Sequence, residues 1–102
     1  MTATAFLAVS PATDEGMAPE VAKAVAALDS FDVTYETTPM GTIHEADDVS
    51  ELFAAAQAAH DAVDSDRVGT FLKIDDKRAS DEPASAKVES VEAELGRPAR
   101  SQ

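Results

Sequence analysis

The side chains with the greatest capacity for chemistry in this sequence are two histidines and the carboxylates near them. His44 and Glu45 are adjacent in a segment predicted to be a strand, so their side chains point to opposite faces and do not share a metal ion. His60 and Asp64 are four residues apart on a predicted helix and are able to share one ion, but no third ligand accompanies them. We therefore predict no metal site.

Groupings typical of enzymes are equally scarce. The chain has no cysteine, no serine beside a histidine and no glycine-rich phosphate loop. Triads assemble in space, so this argues only weakly against catalysis. The absence of cysteine does exclude disulfides and thiolate metal sites. We expect a protein that is not an enzyme and uses no cofactor, and we keep an enzyme of unknown chemistry as the weakest hypothesis.

The pattern of apolar residues predicts strand, helix, strand, strand, helix, strand and a closing helix. The predicted ranges are 2–10, 18–28, 33–37, 42–45, a helix starting near 48, 67–75 and 85–95. Asp48 and Glu51 form a variant of the capping box at the start of the second helix. The predicted buried face of that helix consists of Val49, Leu52, Phe53, Ala56, Ala59 and Val63.

This order of elements predicts an α+β, ferredoxin-like βαββαβ sandwich. Two helices cover one face of a four-stranded antiparallel sheet, and a third helix follows the last strand. We expect one domain over residues 1–96 and a mobile tail over residues 97–102.

Whichever face of the sheet the first two helices cover, the other face is predicted to hold an aromatic residue. Alternation separates Leu7 from Phe6 in the first strand and Leu72 from Phe71 in the fourth. An exposed aromatic patch on a charged protein favours an interface, so we expect a homo-oligomer, either a dimer or a tetramer. The alternative is a monomer in which the last helix covers this face.

The charge balance is the most unusual feature of the composition. Twenty acidic residues face eight basic ones, giving a formal charge of −12. Such a surface repels nucleic acids and anionic lipids, so neither partner is expected. The alternatives are a generic soluble acidic protein and halophilic adaptation, in which molar salt screens the repulsion over about 3 Å, and we favour the second. No stretch approaches the roughly 18 apolar residues of a membrane span, and no secretory signal precedes the first strand, so we expect a cytoplasmic protein.

Several runs of residues resemble a known family. Residues 39–45 read Pro-Met-Gly-Thr-Ile-His-Glu, residues 67–76 read Arg-Val-Gly-Thr-Phe-Leu-Lys-Ile-Asp-Asp, and residues 87–92 read Lys-Val-Glu-Ser-Val-Glu. With Val9-Ser10-Pro11 at the end of the first strand, these runs resemble the thiamine-binding protein family of YqgV-like proteins, which is related to the tandem-domain YkoF proteins. His44 stands where that family usually has an aliphatic residue.

The resemblance implies a protein that binds thiamine or its hydroxymethylpyrimidine moiety without catalysis, for carriage, storage or sensing. The implied ligand-binding residues are Ser10, Met40, Gly41, Thr42, Glu45, Lys73, Asp75 and Asp76. Without the resemblance, the methionine and glycine read as turn and packing residues, and the carboxylates as solvated or paired with Lys73 and Arg67. The alternative function is an oligomerisation module that binds a protein partner and no small molecule.

Overall fold

A computed structural model of the protein describes residues 1–101. The strands are β1 (Thr2–Pro11), β2 (Thr34–Thr38), β3 (Gly41–Ala46) and β4 (Val68–Lys77). The helices are α1 (Ala18–Ala27), α2 (Val49–Ala62) and α3 (Ser85–Leu95), and a single 3-10 turn follows α1 at Leu28–Ser30. Each predicted element is present, and the ends of most differ from the predicted ranges by one or two residues.

The four strands form one sheet in the order β2-β3-β1-β4, and every neighbouring pair is antiparallel. Strand β1 lies inside the sheet, where Leu7 pairs with Thr42 on one side and Leu72 on the other. Strands β2 and β4 are the edges. This order and the two helices on one face confirm the predicted ferredoxin-like α+β fold.

Small side chains fill the layer between the sheet and the helices α1 and α2. Seven of the eleven buried hydrophobic residues are alanines, which allows the helix backbones to approach the strands closely. The larger buried members are Leu7, Leu28, Leu52 and Val63. The core is therefore closely spaced but contains few large apolar side chains.

Helix α2 begins as predicted, but its cap uses a different partner. The Asp48 carboxylate accepts a hydrogen bond from the Ser50 backbone N–H at 2.9 Å, which supplies one of the first-turn donors with an acceptor. The reciprocal half of the predicted capping box is absent, since the Glu51 carboxylate accepts instead from the Asp32 backbone N–H at 3.2 Å. Glu51 therefore ties the helix to the chain before β2.

The predicted burial of Phe53 is wrong. Its side chain is 57% exposed, whereas Leu52, Ala55, Ala56 and Ala59 are buried. Successive residues of an α-helix are rotated by about 100°, so a buried face centred on Leu52 and Ala55–Ala56 turns Phe53 towards solvent. The sequence did not distinguish the two possible faces, because Leu52 and Phe53 are adjacent and three alanines, residues 54–56, follow them.

We call the side of the sheet away from α1 and α2 the open face, and its aromatic residues lie as predicted. Phe6 and Phe71 pack edge to face, with ring centroids 5.9 Å apart and an interplanar angle of 74°. Phe71 remains 59% exposed. On α3, Val88, Val91 and Leu95 fall at helical spacing and are also about half exposed. The chain alone thus leaves apolar surface uncovered, and self-association stays a prediction.

Helix α3 ends at a glycine C-cap. Gly96 adopts a left-handed conformation with φ of 72°, and its N–H donates to the Glu92 carbonyl at 2.9 Å.

Of the predicted tail, Gln102 lies outside the described residues. Across residues 1–101, none of the helices combines the length and hydrophobicity that a bilayer crossing requires.

His44 is an unusual member of the core. It is fully buried on the helix side of β3, opposite Ala5 of β1 and Tyr35 of β2, and within residues 1–101 neither ring nitrogen has a hydrogen-bond partner. Burial lowers the pKa of the His44 imidazole, because a charged ring loses its hydration there. A buried polar group without a partner costs about 1–3 kcal/mol, so this residue reduces the stability of the fold.

We predict that His44 makes stability depend on pH. Its folded pKa lies below the unfolded value near 6.5, so protons bind the unfolded chain first and stability falls as the pH drops below about 6.5, by at most about 1.4 kcal/mol per pH unit. His44→Leu removes this contribution and raises the free energy of unfolding by about 1 kcal/mol at neutral pH. Urea denaturation between pH 5 and 8 measures both effects. The control variant is His60→Gln. If the pH dependence of stability is lost in His60→Gln but kept in His44→Leu, the assignment of that dependence to His44 is wrong.

We predict that Gly41→Ala distorts the β2–β3 hairpin. A Cβ at this position lies 2.6 Å from the Phe6 ring and 2.8 Å from the Leu7 carbonyl oxygen, and the backbone oxygen has little freedom to move. We expect a loss of about 1–3 kcal/mol in the free energy of unfolding, as for overpacked sites. The control in the same sheet is Gly69→Ala, where the nearest atom to the new Cβ is 3.9 Å away. Equal losses in the two variants argue against the close contact as the cause.

We predict that salt stabilises the fold, because screening weakens repulsion among the excess acidic residues. The free energy of unfolding is expected to rise between 0.1 M and 3 M potassium chloride. A variant with Glu89→Gln and Glu94→Gln on α3 removes two exposed charges and is expected to show a smaller rise. If the free energy of unfolding rises equally with salt in the original protein and in the variant, the salt effect does not act through these two charges.

Candidate functional site

A cavity of about 170 Å³ lies between α1, the C-terminal half of β1 and the β2–β3 hairpin. Four of the eight implied ligand-binding residues line it together, namely Ser10, Met40, Gly41 and Thr42. They come from two separate parts of the sequence, which the antiparallel pairing of β1 with β3 brings side by side. We call this space the hairpin cavity.

The hairpin that closes the cavity is held by Thr38. Its hydroxyl donates to the Gly41 carbonyl at 2.8 Å and accepts from the Met40 backbone N–H at 3.2 Å. These bonds fix the backbone of a two-residue turn. The Met40 side chain itself is 80% exposed. The thioether is therefore positioned at the cavity without being part of the core.

Hydroxyl groups supply the polar part of the cavity wall. Thr37 and Thr42 are opposite each other on β2 and β3, and their Oγ1 atoms are 3.1 Å apart. Thr42 is 5% exposed, whereas Ser10 is exposed. A hydroxyl both donates and accepts, so this pair can meet either kind of hydrogen-bonding edge on a ligand.

Helix α1 contributes an apolar wall that was not included in the implied site. Val21, Ala24 and Val25 of α1 line the cavity, together with Met17 directly before the helix and Leu28 directly after it. Val21, Val25 and Leu28 fall at helical spacing in the sequence, but this spacing is the same whether a stripe fills a core or borders a cavity. The same stripe is both part of the core and part of the cavity wall.

None of the cavity-lining residues is titratable, as far as residues 1–101 are concerned. The lining consists of aliphatic side chains, two methionines, a proline, a glycine, alanines and hydroxyl residues. In a chain with a formal charge of −12, this is a locally uncharged space. It is suited to a small, flat, neutral group that combines apolar faces with a hydrogen-bonding edge.

The structure separates Glu45, Lys73, Asp75 and Asp76 from the hairpin cavity. Glu45 is on the open face, where its carboxylate accepts from the Ala84 backbone N–H at 2.8 Å and anchors the start of α3. Asp76 lies on the opposite side of the sheet from its neighbour Asp75, and its Oδ2 accepts from Arg78 Nε at 3.2 Å. The other Asp76 oxygen is buried without a hydrogen-bond partner.

Lys73 and Asp75 line a second depression, of about 140 Å³, on the open face. Lys77 and Lys87 also line it, so three of the four lysines of the chain meet there. Lys87 donates to the Asp75 carboxylate, and this bond lowers the pKa of Asp75 below its usual value. Both partners are largely solvated, so the pair contributes little to stability.

No group of three potential metal-ligating side chains occurs in the part of the chain that the structure describes. His60, considered above with Asp64, has its Nδ1 within hydrogen-bonding distance of the Thr70 hydroxyl on β4. The two histidines therefore lie in separate places, one in the core and one between α2 and the edge strand.

Comparison with known proteins identifies the family of the chain. The profile described as "thiamine-binding protein" matches residues 5–92. A UPF0045 protein of Methanothermobacter thermautotrophicus is 51% identical over 78 residues, which are 74% of this chain and 79% of that protein. The profile match covers the hairpin, the fourth strand and most of the closing helix.

Two solved structures share the architecture. The protein MJ1052 of Methanocaldococcus jannaschii superposes with a TM-score of 0.81 at 29% identity, over 88% of this chain and 95% of that one. A Thermotoga maritima protein whose name proposes a role in thiamine biosynthesis or salvage has a TM-score of 0.76 at 21% identity, over 89% and 99% of the two chains. The second likeness establishes a shared fold alone. With the profile match over residues 5–92, the comparisons confirm the predicted resemblance, and the chain belongs to the thiamine-binding protein family.

Proposed function

We propose that this protein binds thiamine or its hydroxymethylpyrimidine moiety in the hairpin cavity, without catalysis, as a homo-oligomer. The observation that carries the proposal is the position of Met40, Gly41 and Thr42, the residues of the family resemblance, on the wall of this cavity. Carriage, storage or sensing of the ligand in the cytoplasm fits a site of this kind. Membership of the family supports the choice of ligand.

The chemistry of the wall favours the pyrimidine half of the ligand. An aminopyrimidine ring is flat, neutral and edged with donors and acceptors. Aliphatic side chains of α1 and the Met40 thioether offer contact to its faces, and the hydroxyls of Thr37 and Thr42 offer partners to its edge. The thiazolium is a cation, and no carboxylate lines the cavity to offset its charge. We therefore expect the thiazolium of bound thiamine to extend towards solvent.

The uncharged wall also supports binding without catalysis. General acid–base chemistry requires a titratable group within hydrogen-bonding reach of the reacting atom. The groups that line the cavity are hydroxyls, thioethers and aliphatic chains. Hydroxyl nucleophiles need an adjacent base, and the cavity wall supplies none to Thr37 or Thr42.

The proposed oligomer, a dimer or a tetramer, rests on the open face. Phe71 and the α3 residues Val88, Val91 and Leu95 are each about half exposed or more. The same surface favours the second candidate function, an oligomerisation module that binds a protein partner and no small molecule. Ligand titration separates the two, because only the first candidate requires the hairpin cavity.

The test is calorimetric titration with thiamine and with hydroxymethylpyrimidine in molar potassium chloride. We expect saturable binding of both, weakened about two- to tenfold in Thr42→Val, since one hydrogen bond is worth about 0.5–1.5 kcal/mol. The matched control is Thr34→Val, the same change at an exposed position of β2 outside the cavity. Both variants are checked for folding by thermal denaturation.

A third variant tests where the ligand lies. Glu45→Ala removes a carboxylate of the open face that does not line the hairpin cavity. Loss of binding in Glu45→Ala with none in Thr42→Val moves the site to the open face. No heat above the buffer blank with either ligand, in folded and oligomeric protein, overturns the proposal and favours the protein-partner module.

A further inference from the structure

The chain contains three methionines and no cysteine, so thioethers are its only sulfur groups. Two of the three, Met17 and Met40, line the hairpin cavity. Met1 does not line it, and its amino group pairs with the Asp81 carboxylate on the segment before α3. Solvent exposure is substantial for all three, at 50% for Met1, 47% for Met17 and 80% for Met40. Exposure therefore does not separate Met17 from Met1, whereas their positions relative to the cavity do.

The backbone holds both cavity methionines in place. Met17 caps the start of α1, where its carbonyl accepts from the N–H groups of Glu20 at 3.1 Å and Val21 at 3.0 Å. Met40 is held in the hairpin turn by the bond from its N–H to the Thr38 hydroxyl. Each thioether is thus anchored to a fixed element, lines an uncharged cavity and is accessible to a small oxidant from solvent.

We propose that Met17 and Met40 are oxidation sites that make ligand binding in the hairpin cavity sensitive to hydroperoxides. The inference rests on the proposed function for the identity of the ligand. A sulfur lone pair attacks the peroxide, the O–O bond breaks and an S–O bond forms. With hydrogen peroxide the sulfur is oxidised by two electrons to the sulfoxide, the transferred oxygen stays on sulfur, and the other oxygen leaves as water.

The sulfoxide changes the wall in two ways that oppose binding. It replaces a polarizable apolar contact with a strongly polar group. It also adds an oxygen that accepts hydrogen bonds. The side-chain donors of the cavity wall are a few hydroxyls, and two of these, on Thr37 and Thr42, are already in contact with each other. A flat ring against Met40 loses its sulfur contact. Losing a sulfur–aromatic contact corresponds to an affinity about two- to tenfold lower.

Ligand bound in the hairpin cavity is expected to protect the two methionines from oxidation. A ligand that rests against Met40 and Met17 covers sulfur surface that is exposed in the free protein. Saturating ligand is therefore expected to slow oxidation of these two residues and to leave the oxidation rate of Met1 unchanged. Because the three methionines have the same side chain and belong to the same protein, a difference in how strongly the ligand slows their oxidation reflects their position relative to the cavity.

The experiment oxidises the full chain with hydrogen peroxide and quantifies each sulfoxide by peptide mass spectrometry. We expect the dissociation constant for hydroxymethylpyrimidine to rise about two- to tenfold as Met17 and Met40 are oxidised, and to recover after treatment with the two methionine sulfoxide reductases. Thermal denaturation of the oxidised protein checks that it stays folded. The variant with Met17→Leu and Met40→Leu keeps Met1 and is expected to show the same affinity before and after peroxide.

The outcomes separate this inference from the proposed function. Unchanged affinity in protein with both sulfoxides present overturns the inference and leaves the function standing. An equal loss of affinity in the double leucine variant assigns the effect to Met1 and also overturns it. Absence of binding by the unoxidised protein overturns the proposed function and this inference with it.

Discussion

Close approach between the helices and the sheet is the constraint on which the rest of this structure depends. Alanines occupy most of the buried apolar positions, at residues 3, 5, 24, 46, 55, 56 and 59. They let α1 and α2 lie near the strands, but each buries less apolar surface than a leucine would. The fold therefore relies on backbone pairing along β1, which has a partner strand on each side, as much as on large core side chains.

The hairpin cavity is a consequence of the same arrangement. Helix α1 lies over the end of β1 where the β2–β3 turn begins, and Ala24 there is too small to fill the gap. Gly41 lets the turn come within contact of Phe6 and Leu7. The turn thus lies against β1, with no space for a side chain at Gly41.

Charge and apolar surface are distributed unevenly over the molecule. The hairpin cavity is uncharged, whereas the open face combines Phe71 with the lysines around Asp75. These two regions lie on opposite sides of the sheet, since Thr42 faces the helices and Glu45 faces away. Side chains of one strand therefore line two different surfaces of the protein.

The sequence by itself determined the order of the elements, the fold, and the separation of Phe6 from Leu7 and of Phe71 from Leu72 onto opposite faces, because these follow from periodicity along each element. It also indicated the hairpin of Met40, Gly41 and Thr42. It predicted neither Phe53 as exposed nor the partner of Glu51, since both depend on how α2 is rotated against the sheet.

Only the tertiary structure decided which of the implied site residues meet. Ser10 and Met40 are distant in the sequence, and antiparallel pairing brings them to one cavity. Alternation already separates Thr42 from Glu45, three residues further along the strand, but motif membership had grouped them. The contribution of α1 was not readable from spacing, because a helical stripe looks the same in sequence whether it fills a core or borders a cavity. That difference depends on the volume left between elements, which is set by packing in three dimensions.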